Sequence, residues 1–416
     1  MTATVRPKRS NGPRYLTRVA QLPHIPEDER AALEAVEARY AFRVSASYAS
    51  LIDWSDPGDP IRRLIVPDSG ELDDGGRLDA CNEASVTVAP GTQHKYPDTA
   101  LLLCNEVCGG FCRYCFRKRL FMPDNAEANL DVRPGLAYIR AHPEITDVLL
   151  TGGDPLLLAP SRLLSIVREL ADIEHVQVVR IGSKMPAFDP WVILDRPELT
   201  DGLAAVVEGG TRVYLITHFD HPRELTEPAR AALERMLRAG VVCANQCPLI
   251  RGINDSASIL STLFQHLTLA GAPPYYVFQG RPTAGNRPFD VPITEGFAHV
   301  DAARAQVGGL AGRARMVMSH ELGKLEVAGL DDEHLYVRVH RAKHPEDRGR
   351  FMRYWRDDDA TWLDQLTPAA DVGPRFRAHS ARGPAMPVAR RRISPAVSSS
   401  RRAGGRARLG SGGRPR

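Results

Sequence analysis

The chain has 416 residues, 43% of them apolar and 25% charged, proportions that fit a globular protein with a sizeable core. No apolar run reaches the roughly eighteen residues of a membrane span, and the opening stretch MTATVRPKRSNGPRY lacks the apolar core of a secretory signal. Seven cysteines, four of them clustered, do not read as a disulfide framework, so the expected compartment is the reducing cytoplasm.

The formal charge of +4 conceals two halves of opposite sign. From Pro374 onward there are 12 arginines and no acid, which leaves 42 basic against 50 acidic residues in the body. The stretch 374–416 is rich in Gly, Pro, Ser and Arg and is expected to be a disordered tail. Such a tail can touch nucleic acid non-specifically, but a plain solvated tail accounts for it. Lysines are scarce: Lys8, Lys95, Lys118, Lys184, Lys324 and Lys343 stand against 48 arginines.

In chain order, residues 1–94 read as a helical and loop extension. PEDERAALEAVEARYAF has an acidic first turn and apolar residues at helical spacing. YASLIDWSDPGDPIRRLIVPDSGELDDGG is broken by Pro and Gly into short helices and loops. A core over 95–330 follows. Its strands are TALLLC, DVLLTGGD, VQVVRIGS, RVYLITHF, VVCANQCPLI and PPYYVFQG. Between them lie the helical stretches GLAYIRAH, SRLLSIVRELADI, a helix near 197–208, EPARAALERMLRAG and SASILSTLFQHLTLAG. This alternation predicts an α/β fold with a parallel sheet, and six units suit a partial barrel. Residues 331–373 are read as a C-terminal segment packed on that core. Polar residues at strand ends, among them Gly152, Gly153, Asp154, Ser183, His218, Gln246 and Gln279, fall where barrels carry active sites.

The stretch CNEVCGGFCRYCFRKR, residues 104–119, holds the four clustered cysteines. Structural zinc needs two separated ligand pairs, and no matching pair follows. A thioredoxin-like CxxC would stand alone at a helix start. Cys243 and Cys247, on a later strand, fit buried packing. Thiolates are also the usual ligands of iron–sulfur clusters. Two registers are open for such a cluster: Cys108, Cys112 and Cys115, or Cys104, Cys108 and Cys112. The first uses Cys115 and places Tyr114 just before the last ligand.

The spacing Cys108-x3-Cys112-x2-Cys115 after the first strand resembles the signature of radical S-adenosylmethionine (SAM) enzymes. Further segments resemble, in order, the lysine 2,3-aminomutase family: SLIDWSDPGDPIRR, HKYPDTALLL, CRYCFRKR, VLLTGGDPLLL, VRIGSKMP, THFDHPRELT, NQCPLIRGIND and PPYYVFQG. They cover roughly residues 35–345. The resemblance implies a radical SAM partial (β/α)6 TIM-like barrel, and a [4Fe–4S] cluster on Cys108, Cys112 and Cys115 whose open iron takes SAM. It assigns Gly152, Gly153, Asp154, Ser183, His218 and Gln246 to SAM, and Arg117 to the substrate carboxylate. A guanidinium fork suits that last task, although a solvated RKR face is the ordinary alternative.

The family also uses pyridoxal 5′-phosphate (PLP), bound through a lysine. The resemblance gives that lysine as Lys324 in MVMSHELGKLEV and sets Lys95 near the phosphate. Here the family's glycine run before the lysine is replaced by SHELG. The implied activity is an isomerase that moves an amino group from C2 to C3 of an amino acid through a 5′-deoxyadenosyl radical. Lysine-specific members hold the distal ammonium with two aspartates. Arg281 and Val317 stand at those positions, so an acidic or neutral amino acid is expected rather than free lysine. The family's late cysteine-rich stretch is missing as well. An electron donor such as flavodoxin or ferredoxin and a homo-oligomer are expected. Two other readings remain: a radical SAM enzyme without PLP acting on a protein or natural product, and a nucleic-acid binder with a zinc knot.

Overall fold

The computed structural model describes residues 14–122, 127 and 130–369, all within one compact unit. The tail expected over 374–416 lies outside the described residues. Near the start, β1 (Tyr15–Leu16) and β2 (Val44–Ser45) pair antiparallel. Around them lie α1 (Glu27–Arg39), α2 (Ala46–Ala49) and α3 (Pro60–Ile65), the helix and the short broken pieces that the sequence predicts. Asp59 caps α3 by accepting from the Arg62 amide, and Pro60 opens the helix where no donor is needed.

A twelve-stranded sheet follows. It begins with β3 (Thr87–Ala89), β4 (Thr92–Tyr96) and β5 (Thr99–Asn105). Next come β6 (Asp147–Gly152), β7 (Val178–Ser183), β8 (Arg212–Thr217), β9 (Val242–Pro248) and β10 (Pro274–Phe278). It ends with β11 (Arg315–His320), β12 (Gly323–Leu330), β13 (His334–Ala342) and β14 (Phe351–Trp355). Spatial order follows chain order, with β3 and β14 at the two edges, so the barrel is open. Strands β5 to β11 are parallel, and antiparallel strands extend the sheet at both ends.

The crossovers carry α4 (Arg133–Ala141), α5 (Pro160–Ala171), α6 (Met185–Phe188), α7 (Trp191–Leu194) and α8 (Pro197–Glu208). Beyond them are α9 (Glu227–Arg238), α10 (Ala257–Leu269) and α11 (Ile293–Ala305). In α9 the buried residues Ala229, Ala232, Leu233 and Met236 make one face at helical spacing. Thr226 caps it by accepting from the Ala229 amide at 3.3 Å.

The α/β class and the six expected strands are present, and the parallel set holds one strand more. RMVMSH forms β11 beside β10, reached through α11. The sequence reading took MVMSHELGKLEV as one segment, whereas it is a hairpin with Glu321 and Leu322 at its turn. The division at 94/95 falls inside β4, and the segment from 331 extends the sheet as β13 and β14.

Strand alternation sorts the side chains. Val148, Leu150, Val179, Ile181 and Val277 are buried in the core. Their neighbours Leu149, Thr151, Arg180, Gly182, Tyr276 and Phe278 instead face a single cavity. The sheet therefore curls around that space.

Candidate active site

The cavity is about 350 Å³ in volume, and every site candidate of the sequence reading except Cys104 of the second register lines it. Its wall carries Cys108, Cys112 and Cys115 together with Gly152, Gly153, Asp154, Ser183, His218 and Gln246. Lys95, Arg117, Arg281 and Lys324 complete the wall. Residues from the ends of β6, β7, β9 and β10 meet here because parallel strands present their C-terminal ends to the same side.

The cysteine loop leaves β5 after Asn105. All seven cysteines of the chain are free thiols. Cys104 is buried, directs its Sγ to the Thr151 carbonyl at 3.7 Å and does not line the cavity. This favours the register Cys108, Cys112, Cys115. Burial pushes all three thiols up, Cys112 to about 12; Cys115 adds to the rise at Cys108 and Cys112, and Cys112 to that at Cys108. Three neighbouring thiols that are costly to ionise alone suit a metal cluster that takes thiolates. Among the described residues no three Cys, His, Asp or Glu side chains converge as a single ion requires. A cluster, whose ligands reach different irons, needs no such convergence.

Two glycines hold the base of this loop. Gly152 has φ +105°, and a Cβ there would lie 2.6 Å from the Asn105 carbonyl oxygen. A Cβ on Gly153 would lie 2.5 Å from the Val107 backbone. The Gly153 amide donates to Asn105 and the Asp154 amide to Val107 at 2.9 Å. Close backbone approach was expected at this pair, and the backbone that approaches is the cysteine loop itself.

Asp154 is a strut as well as a wall. Its carboxylate accepts from Ser183 Oγ at 2.8 Å and from the amides of Lys184 at 2.9 Å and Leu156 at 3.0 Å. Burial raises its pKa to about 6, against the pull of those donors. Both oxygens are engaged. His218 Nε2 lies 3.0 Å from Asp220. Asp220 also takes the Tyr114 hydroxyl and Lys184 Nζ, the latter at 2.6 Å. Glu224 meets Lys184 at 2.7 Å and Tyr48 at 2.6 Å. This buried network ties α2 to the cavity wall.

Lys324 lines the same cavity. Its Nζ lies 4.4 Å from the Tyr276 ring centre and 4.5 Å from that of Phe278. Burial lowers its pKa well below the ordinary lysine value, and Arg180, Arg281, Arg341 and Lys95 push the same way. Arg281 lies over the Phe116 ring at 3.6 Å, and its Nη1 has no hydrogen-bond partner among the described residues. Gln279 Oε1 and Asn286 Oδ1, in the same loop after β10, are likewise buried without a partner. Val317 is buried in the core and does not line the cavity.

The RKR run is not a solvated face. Arg117, Lys118 and Arg119 are at most 6% exposed. Arg117 meets Glu83 through Nε at 3.0 Å and Nη2 at 2.7 Å, Thr151 Oγ1 at 3.0 Å and Gln93 Oε1 at 3.4 Å. Of its five N–H groups one remains open, so the fork expected for a substrate carboxylate is occupied by Glu83. Sequence reasoning missed Glu83, Arg180, Arg341 and Asp290, all on the cavity wall. Arg180 lies within the segment VRIGSKMP without being picked out there, and no motif marks the other three. Burial raises Asp290 to about 7.

No protein-family model matches the chain. It is 52% identical over 355 residues to a protein of Aquifex aeolicus (strain VF5) named "Putative L-lysine 2,3-aminomutase", across 85% of this chain and 95% of that protein. To the L-lysine 2,3-aminomutase of Acetoanaerobium sticklandii it is 33% identical over 291 residues, 69% of each chain. To the glutamate 2,3-aminomutase of Clostridioides difficile (strain 630) it is 32% identical over 286 residues, 68% of this chain and 66% of that protein. On these likenesses the chain belongs to the lysine 2,3-aminomutase family of radical SAM enzymes.

Proposed function

We propose that this protein is a PLP-using 2,3-aminomutase, an isomerase, whose amino-acid substrate carries no ammonium on its side chain. The observation that carries the reading is Lys324, an amine with a depressed pKa in the cavity that also holds Cys108, Cys112 and Cys115. Family membership implies a [4Fe–4S] cluster and SAM. When bound, these supply the radical, and PLP supplies delocalisation during migration.

The chain's own residues orient and sort. Lys324 is the amine that would condense with the PLP aldehyde, its neutral form favoured by burial and neighbouring cations. Lys95 and Arg341, both on the wall, supply positive charge suited to a phosphate. Arg281, with an open nitrogen, favours a carboxylate and opposes an ammonium. Two like charges 4 Å apart repel by about 4 kcal/mol at an effective dielectric of 20, roughly a thousandfold in affinity. A relative named for glutamate is consistent with such a sign. A one-electron protein donor completes the proposal.

A second reading, radical SAM chemistry without PLP on a protein or natural-product substrate, is favoured by one observation: Glu83 occupies the Arg117 fork. Anaerobic reconstitution with iron, sulfide and PLP decides between the two. The visible spectrum of the wild type is compared with that of Lys324→Ala. A PLP band lost in the variant, with cluster absorbance retained, supports the aminomutase. Cluster absorbance with no lysine-dependent band overturns the PLP reading.

A further inference from the structure

We propose that Glu71 and Glu83 are built-in counter-ions of the cluster loop, and that they hold the reduction potential of the cluster low. The loop interleaves its cysteines with cations: Arg113 lies between Cys112 and Cys115, and Arg117, Lys118 and Arg119 follow directly. All four are at most 6% exposed. One-electron reduction adds a negative charge to the cluster, so each nearby uncompensated cation favours the reduced form and raises the potential. A cluster that must hand its electron to SAM works against that bias.

The two carboxylates come from the segment preceding the sheet. Glu71, fully buried, accepts from Arg113 Nε and Nη2, both at 2.8 Å, and from Lys118 Nζ at 3.4 Å. Glu83, 7% exposed, accepts from Arg117 at 2.7 Å and Arg119 at 2.8 Å. Arg119 has a further partner in Glu127 at 2.8 Å. Burying so many ions is costly unless each is paired, and these pairs place opposite charge beside the loop. The inference rests on the cluster alone and needs neither Lys324 nor PLP.

The test is potentiometry of the anaerobically reconstituted protein, followed by electron paramagnetic resonance of the reduced cluster. Glu71→Gln and Glu83→Gln are expected to shift the midpoint upward, and Arg119→Gln downward. The double variant Glu83→Gln/Arg119→Gln should return toward the wild type. The surface change Glu234→Gln should leave the midpoint where it was. Wild-type midpoints in both loaded Glu→Gln variants overturn the proposal. Where a Glu→Gln variant fails to retain iron, Glu71→Asp, Glu83→Asp and Arg119→Gln carry the test. Wild-type midpoints in the Asp variants with a lowered one in Arg119→Gln support it, and an unmoved Arg119→Gln overturns it.

Discussion

Arg281 and Lys324 show how much one side chain decides. Arg281 stacks on Phe116 and keeps one buried nitrogen without a partner among the described residues, an expense that a ligand acceptor offsets. Arg281→Asp reverses the sign at the point where a side chain would be read. The change is expected to cost at least tenfold in kcat/KM on an acidic amino acid and to raise turnover of lysine, measured by product analysis on both. Equal effects on the two substrates would count against Arg281 as the charge reader. For Lys324 the sign runs with burial and cationic neighbours, which lower its pKa below the ordinary 10.5. Attachment to PLP needs the neutral amine, so the lysine stays reactive at lower pH than an ordinary one. Borohydride trapping of PLP on Lys324 should persist well below pH 10.5. A profile centred on the ordinary lysine value would refute the environment described for it.

At the scale of elements, the Gly152–Gly153 turn and the β11–β12 hairpin are the two devices that aim chemistry into the cavity. Gly152 combines a positive φ with a Cβ position already taken by Asn105, so Gly152→Ala is strained twice. The variant is expected to retain its sheet, monitored by circular dichroism, and to lose most of its iron after reconstitution. Full iron content would show that the turn does not set the loop. In the hairpin, a Cβ on Gly323 would sit 2.1 Å from the Arg341 carbonyl oxygen. That crowding explains why a glycine precedes the lysine although the family's longer glycine run is absent. Residues 321–322 close the hairpin, and Lys324 follows on the returning strand opposite Ser319.

Across the whole molecule, an open sheet of twelve strands wraps one cavity, and segments outside the six expected units finish it. Glu83 enters from before the sheet and Arg341 from β13. Tyr48 of α2 reaches Glu224, 176 residues away in sequence. The wall is thus assembled from residues between Cys81 and Arg341. A sequence division into extension, barrel and C-terminal segment does not isolate the site.

What was legible in the sequence was local. Cysteine spacing, the Gly-Gly-Asp strand end, the scarcity of lysines and the alternation of apolar strands with helices all act within a few residues, because backbone geometry translates spacing directly into facing. They brought Cys108, Cys112, Cys115, Gly152, Gly153 and Lys324 to one cavity. The seventh parallel strand escaped because RMVMSH runs straight into its own return strand. The partners of the charged loop escaped for a different reason. Which carboxylate meets Arg113 or Arg117 depends on where chain segments 34–42 residues apart come to lie, and Coulomb attraction carries no sequence register. Residue types and intervals therefore determined the chemistry on offer. Only the tertiary structure decided which charges were cancelled, which donors stayed open and hence what the cavity can accept.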